Sequence, residues 1–315
     1  MLRIKIRQAV VVVAVVVAMA LASCSTAKVN TPRVGIAADS ARLVADGKLG
    51  EALKRARADG RQSVAIPALS IEIPTEGSVA AIVARDTLLV GTTGDYRPLS
   101  FRESDGSYWG FDIDVAREIA AELGVHTKFV ATSWPTLSAD VVAAPPAFDL
   151  SMGGITITDA RCATMLMSEG YLANGKTILC RAAEADRYRA LPDIDKHEVR
   201  VMVNPGGLNE KFAREHLSHA TIIVHTQNEE IPALVAEGEA DVMITEITEA
   251  PYYVATDTRL AAPLISEPFT RGQIGALMRP GQDDLLQLVN AVIGRMKADG
   301  SLRLLHERYH LRYAY

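Results

Sequence analysis

From residue 87 onward the chain alternates strand-like and helix-like segments, and this alternation limits the possible folds more than any other feature. Apolar strand patterns are expected at 87–91, 128–131, 150–153, 177–181, 199–203, 221–225, 242–245 and 274–278, with helical periodicity between most of them. The class is therefore α/β. Asp112 stands where a cap would open a helix over 113–123, and Gly124 stands where the left-handed residue after a helix belongs. Residues 199–245 read as strand, helix, strand, helix, strand, a unit able to form a lobe of its own. After residue 269 the chain supplies one more strand and two helices, 283–299 and 301–309, which would complete the first lobe. Two lobes crossed twice by the chain imply a cleft between them that closes by a hinge.

The beginning of the chain is different in kind. Arg3, Lys5 and Arg7 precede an uninterrupted apolar run over 9–22, which ends in Leu21-Ala22-Ser23-Cys24. A basic start followed by a short apolar run reads as a signal peptide, too short for an ordinary membrane span. Small residues directly before a cysteine resemble the bacterial lipobox, which implies cleavage after residue 23 and lipidation of Cys24. The mature protein would be exported and held on the membrane, facing the periplasm or the cell exterior. The expected domains are a leader over 1–23, a tether or extension over 24–85 with one helix at 41–58, lobe 1 over 86–178 plus 270–315, and lobe 2 over 179–269.

Charge and motifs exclude several functions. Basic residues number 33 and acidic residues 38, and no basic run is long enough to track a phosphate backbone, so no nucleic-acid partner is expected. Removal of the leader leaves 30 basic residues against 38 acidic, and the mature protein is acidic. The histidines are scattered, and Cys162 and Cys180 lack the spacing of a metal site, so no metal is expected. A bridge between these two cysteines stays open, because an exported protein permits one. No motif for a nucleotide, zinc-hydrolase or serine-hydrolase site is present, and no cofactor is expected.

The segments G-T-T-G-D-Y-R-P at 91–98, G-F-D-I-D-V-A at 110–116, G-G-I-T-I-T-D-A-R at 153–161 and G-E-A-D-V-M-I-T-E at 238–246 resemble, in order and spacing, the polar-amino-acid-binding proteins of bacterial importers. The resemblance covers residues 86–310 and implies the two-lobed fold of a type II periplasmic binding protein. It also implies that Tyr96 and Trp134 sandwich the ligand, though half-buried core aromatics remain the alternative. Arg161, with Thr156 and the Gly154 turn, would clamp a carboxylate, for which a guanidinium fork is suited. Glu246 would meet the ligand's ammonium, and as a glutamate where aspartate is usual it leaves preference for an amino ligand open.

Four further segments resemble the periplasmic cyclohexadienyl dehydratases that share this fold: T-T-G-D-Y at 92–96, T-S-W-P at 132–135, N-G-K-T at 174–177 and N-P-G-G-L-N-E-K-F-A-R at 204–214. The glycines of the last segment let backbone amides approach an anion at a helix N-terminus. Asn204, Gly207 and Asn209 are thus candidate substrate contacts. Glu210 is the candidate acid, although a carboxylate in a first helical turn that pairs with Arg214 is the plain alternative. Lys176 would hold a second carboxylate. The resemblance implies acid-assisted loss of water and carbon dioxide, from prephenate to phenylpyruvate or from arogenate to phenylalanine. The reading from the other class is an amino-acid-binding lipoprotein that serves an ABC importer permease.

Overall fold

The computed structural model describes residues 63–66, 69–72 and 76–311; the leader, Cys24 and the helix expected at 41–58 lie outside the described residues. Two five-stranded sheets carry the two lobes. In lobe 1 the order is His126–Ala131, Thr87–Thr92, Leu150–Ser151, Leu277–Met278, Leu166–Met167. The first three strands run parallel, and the late strand Leu277–Met278 enters antiparallel to its neighbours. Lobe 2 repeats the plan, with Thr221–Val224, Arg200–Val203 and Val242–Glu246 in parallel and Lys176–Arg181 antiparallel beside them. Leu260–Ala261 closes its edge.

Burial explains the run-like apolar pattern of the lobe 2 strands. Val201, Val203, Val242 and Ile244 face one cluster, while Met202 and Met243 face another on the opposite side of the same sheet. A sheet covered on both faces needs apolar side chains at successive positions. In lobe 1 the helix Asp283–Asp299 buries Leu285, Leu288, Val289, Val292, Ile293 and Met296, a stripe at helical spacing, against the core that Val90 and Leu150 enter from the sheet.

Several expectations change. The strand expected at 274–278 is two strands in two sheets: Gly272–Ile274 pairs with Leu172–Asn174, whereas Leu277–Met278 joins lobe 1. The pair formed by Leu172–Asn174 and Gly272–Ile274 is the ribbon through which the chain leaves lobe 1 and returns to it. Lys176–Arg181 lies wholly in the lobe 2 sheet, with Lys176 opposite Glu246, so a boundary at 178/179 cuts a strand and lobe 2 starts at Lys176. Upstream, the helix Gly77–Arg85 is no tether: Val79, Ile82 and Val83 enter the lobe 1 core, and Asp284 Oδ2 accepts the Val79 N–H at 2.8 Å. Cys162 packs in lobe 1 and Cys180 is buried in lobe 2, so no bridge joins them.

Candidate functional site

The helix Phe111–Leu123 begins after Gly110, not at Asp112. Asp112 is its second residue, fully buried, and its Oδ2 accepts the N–H groups of Gly153 (2.8 Å) and Gly154 (2.5 Å). Asp112 therefore braces the turn that forms the floor of the cleft. Gly154 has φ +83°, and a Cβ there would stand 2.2 Å from the Tyr96 ring. Only glycine allows that approach. Burial pushes the Asp112 carboxyl up to about 6, against the two N–H bonds that favour its ionised form.

On the lobe 1 wall, Tyr96 and Trp134 meet edge to face, with ring centroids 5.8 Å apart and planes at 85°. Trp134 Nε1 donates to Asp95 Oδ1 at 3.0 Å, which fixes the indole. The pair is an L-shaped corner rather than two parallel plates. Arg161 sits at the end of a one-turn helix, Asp159–Cys162, whose N-cap Thr158 is in extended conformation. Its Nη1 donates to the Thr156 carbonyl at 2.6 Å. Burial draws the guanidinium below its ordinary pKa and Glu246 works against that, but no carboxylate touches it among the described residues. Thr156 Oγ1 accepts from Asn174 Nδ2 at 3.1 Å and lies 3.4 Å from Glu246 Oε1.

The lobe 2 wall is built at the ends of two neighbouring strands. Register places Lys176 directly opposite Glu246, and Lys176 Nζ donates to Glu246 Oε1 at 2.5 Å and to Asn209 Oδ1 at 2.6 Å. The side chains of this pair are 9% and 7% exposed. Asn209 Nδ2 donates in turn to Asn204 Oδ1 at 3.3 Å. Across the cleft, the Tyr96 hydroxyl donates to Glu246 Oε2. Burial alone would raise the Glu246 carboxyl; the Lys176 ammonium and the bonds from Lys176, Tyr96 and Asn174 outweigh it and hold the group below its usual value.

Tyr96, Trp134, Gly154, Thr156 and Arg161 from lobe 1 and Lys176, Asn204, Gly207, Asn209 and Glu246 from lobe 2 line one cleft with an empty volume of about 330 Å³. Glu210 is not brought to this cleft. Its Oε2 accepts the Gly206 N–H at 2.7 Å and its Oε1 pairs with Arg214 at 2.8 Å. The Gly206 bond and Arg214 hold its carboxyl below the usual value, the opposite of what an acid near neutral pH requires. The expected acid is thus a brace for the first turn of the helix Leu208–His216. The Gly206 N–H, expected to be open to an anion, is spent on that brace, while Gly206 itself, at φ +71°, lets Pro135 of the facing lobe come close. Asn228, which the motifs did not single out, also lines the cleft.

Cyclohexadienyl dehydratase of Pseudomonas aeruginosa is 36% identical over 234 residues, which cover 74% of this chain and 86% of that protein. The L-cystine-binding protein TcyJ of Escherichia coli (strain K12) is 27% identical over 235 residues, with 74% and 86% covered. A crystal structure of an ancestral amino acid-binding protein, described as a precursor of cyclohexadienyl dehydratase, matches with a TM-score of 0.67 at 35% identity and covers 74% of this chain and 99% of that one. The family profile of bacterial extracellular solute-binding proteins, family 3, matches residues 88–312. That match runs from the first strand of lobe 1 through lobe 2 to the end of the last helix, and the chain belongs to the bacterial extracellular solute-binding proteins of family 3.

Proposed function

We propose that this chain is a cyclohexadienyl dehydratase, converting prephenate to phenylpyruvate and arogenate to phenylalanine. The observation that carries the reading is the buried Lys176–Glu246 pair in the cleft wall. A receptor for a simple amino acid needs one cation for one carboxylate. This cleft has Arg161 and, across from it, Lys176, which suits a substrate with two carboxylates when Lys176 turns to the second.

Glu246 is the carboxyl group that lines the cleft, and it takes the role expected of Glu210. Its contact with Lys176 favours its ionised form. A bound dianion competes for that ammonium, and a buried carboxylate whose counter-ion is drawn away rises in pKa. Glu246 then takes up a proton and becomes a general acid only in the complex. The ring C–O bond breaks with its electron pair on oxygen, Glu246 supplies the proton, and water leaves. The bond from the ring to its carboxylate breaks, carbon dioxide departs, and the electron pair completes the aromatic ring. Solvent returns a proton to Glu246 before the next cycle. Tyr96 and Trp134 bound the ring, and Arg161 holds the side-chain carboxylate.

The test is direct: the purified chain with prephenate should consume its absorbance and form phenylpyruvate and carbon dioxide in equal amounts. No turnover of prephenate or arogenate, together with tight binding of an amino acid, would return the protein to the second reading. That reading, a receptor delivering an amino acid to an ABC importer permease, is favoured by the likeness to an L-cystine-binding protein. Export and anchoring are part of the proposal: the leader is removed, Cys24 is lipidated, and the lobes face the periplasm or the cell exterior. Replacing Cys24→Ala should shift the protein to the aqueous phase in detergent phase separation, and unchanged partitioning would remove the anchor.

A further inference from the structure

Asn228, one of the residues that line the cleft, carries an acceptor that the proposed chemistry leaves idle. Asn228 lies in a short 3-10 turn, Asn228–Glu230, and is 2% exposed. Its Nδ2 donates to the Asp95 carbonyl of the opposite lobe at 3.0 Å and approaches Glu249 Oε1 at 3.5 Å. A backbone carbonyl can only accept, so the orientation of the amide is fixed: nitrogen towards Asp95, oxygen the other way. That Oδ1 is buried and has no hydrogen-bond partner among the described residues, and of the side chains lining the cleft it is the only one with such an atom.

The other cleft acceptors are already engaged. Glu246 receives Lys176 and Tyr96, Asn209 Oδ1 receives Lys176, Asn204 Oδ1 receives Asn209, and Thr156 Oγ1 receives Asn174. A buried acceptor without a donor is destabilising, and a bound ligand that donates to it would recover that loss. Behind Asn228, Glu249 is fully buried and bonded to Thr245 Oγ1 at 2.5 Å. Burial pushes its carboxyl well above the usual value, with Thr245 opposing and the charges of Glu246 and Asp95 adding to it.

We infer that Asn228 is a specificity-determining residue, whose Oδ1 accepts a hydrogen bond from the ammonium group of an α-amino acid substrate and thereby favours it over the matching α-keto acid. At neutral pH the keto acid's side chain carries no donor, whereas the amino acid's ammonium carries three. The inference rests on the dehydratase reading for its substrates but not for its test. Two pairs of probes differ only in amino against keto: arogenate against prephenate for turnover, and L-phenylalanine against phenylpyruvate for binding by calorimetry. In Asn228→Leu, the ratio of kcat/KM for arogenate to that for prephenate should fall about ten-fold, and the phenylalanine-to-phenylpyruvate affinity ratio should fall likewise, the scale of one hydrogen bond to a charged group. In Asn228→Asp the acceptor stays and gains a charge while the donor to the Asp95 carbonyl is lost, so overall affinity should fall but both ratios should rise. A loss that is equal for both members of each pair would make Asn228 a strut between the lobes only and would overturn the inference. So would unchanged ratios in both variants. If wild type turns over neither cyclohexadienol, the dehydratase reading fails, while the phenylalanine and phenylpyruvate affinities still decide the role of Asn228.

Discussion

The two walls of the cleft are built on the same plan and equipped differently. Lobe 1 offers surfaces that are held still: an aromatic corner, a glycine turn tied to the buried Asp112, and Arg161 braced on the Thr156 carbonyl. Lobe 2 offers charges that answer one another: Lys176 and Glu246, at the ends of adjacent strands, form a connected chain with Asn204 and with Asn209 in the first turn of the helix Leu208–His216. Under the proposed function, the contrast would assign recognition of the substrate's shape and first carboxylate to lobe 1, and protonation to lobe 2. A wall of fixed contacts binds ground state and transition state alike, while a wall whose ionisation depends on the ligand contributes to the step itself.

The sharpest way to break that division is Glu246→Gln. Prephenate affinity should stay within a few-fold of wild type while kcat falls about 1,000-fold, the scale of a lost general acid. The companion variant Glu210→Gln should leave kcat within a few-fold, since that side chain braces a helix turn outside the cleft. Reversal of these two results would move the acid back to Glu210. Next in size is Arg161→Ala on the opposite wall. The loss should appear as weaker binding of about 2 kcal/mol, roughly 30-fold, with kcat little changed. A fall in kcat at unchanged affinity would mean that lobe 1 also acts on the transition state.

The smallest effect concerns Asp112 and is read in stability. Its folded carboxyl titrates near 6 against 3.8 for an unperturbed aspartate, so between these values the native state holds a proton that the unfolded chain has released. The slope ∂ΔG/∂pH is then negative: this group makes the ligand-free protein less stable as pH rises from about 4 to about 6, and its contribution is flat above that. Asp112→Asn should remove this slope in urea unfolding at about pH 4.5, 5.5 and 6.5. Profiles that stay parallel to wild type would show that Asp112 is ionised throughout.

Much of this molecule was legible in its sequence, for physical reasons that also mark where reading stops. The βαβαβ unit of lobe 2 was visible because its inner strands, Arg200–Val203 and Val242–Glu246, are buried and apolar at successive positions. The late strand was misread as one, because a continuous apolar run does not reveal that Gly275 is where the chain passes from the crossing ribbon to the lobe 1 sheet. Lys176 and Glu246 were both assigned to the cleft, but their contact depends on antiparallel register between positions 70 apart in sequence, which no local pattern encodes. Glu210 misled because helix position and motif membership pointed in different directions, and position decided. Asp112 carried a signal that was read as a cap: a carboxylate in a first helical turn, followed 41 residues later by the glycines that it holds. Asn228 had no signal beyond standing in a polar turn before a helix.

The crossing ribbon has a mechanical consequence. Its strand Leu172–Asn174 ends two residues before Lys176, and Asn174 is itself bonded to Thr156 on one side and Thr248 on the other. When one rigid body swings against another, displacement grows with distance from the axis. The Lys176–Glu246 pair therefore sits at the short end of the lever and moves little, while the Asn228–Asp95 bridge between the lobes must part for the cleft to open. A ligand can thus enter and leave at the outer lip without dismantling the charged apparatus near the pivot.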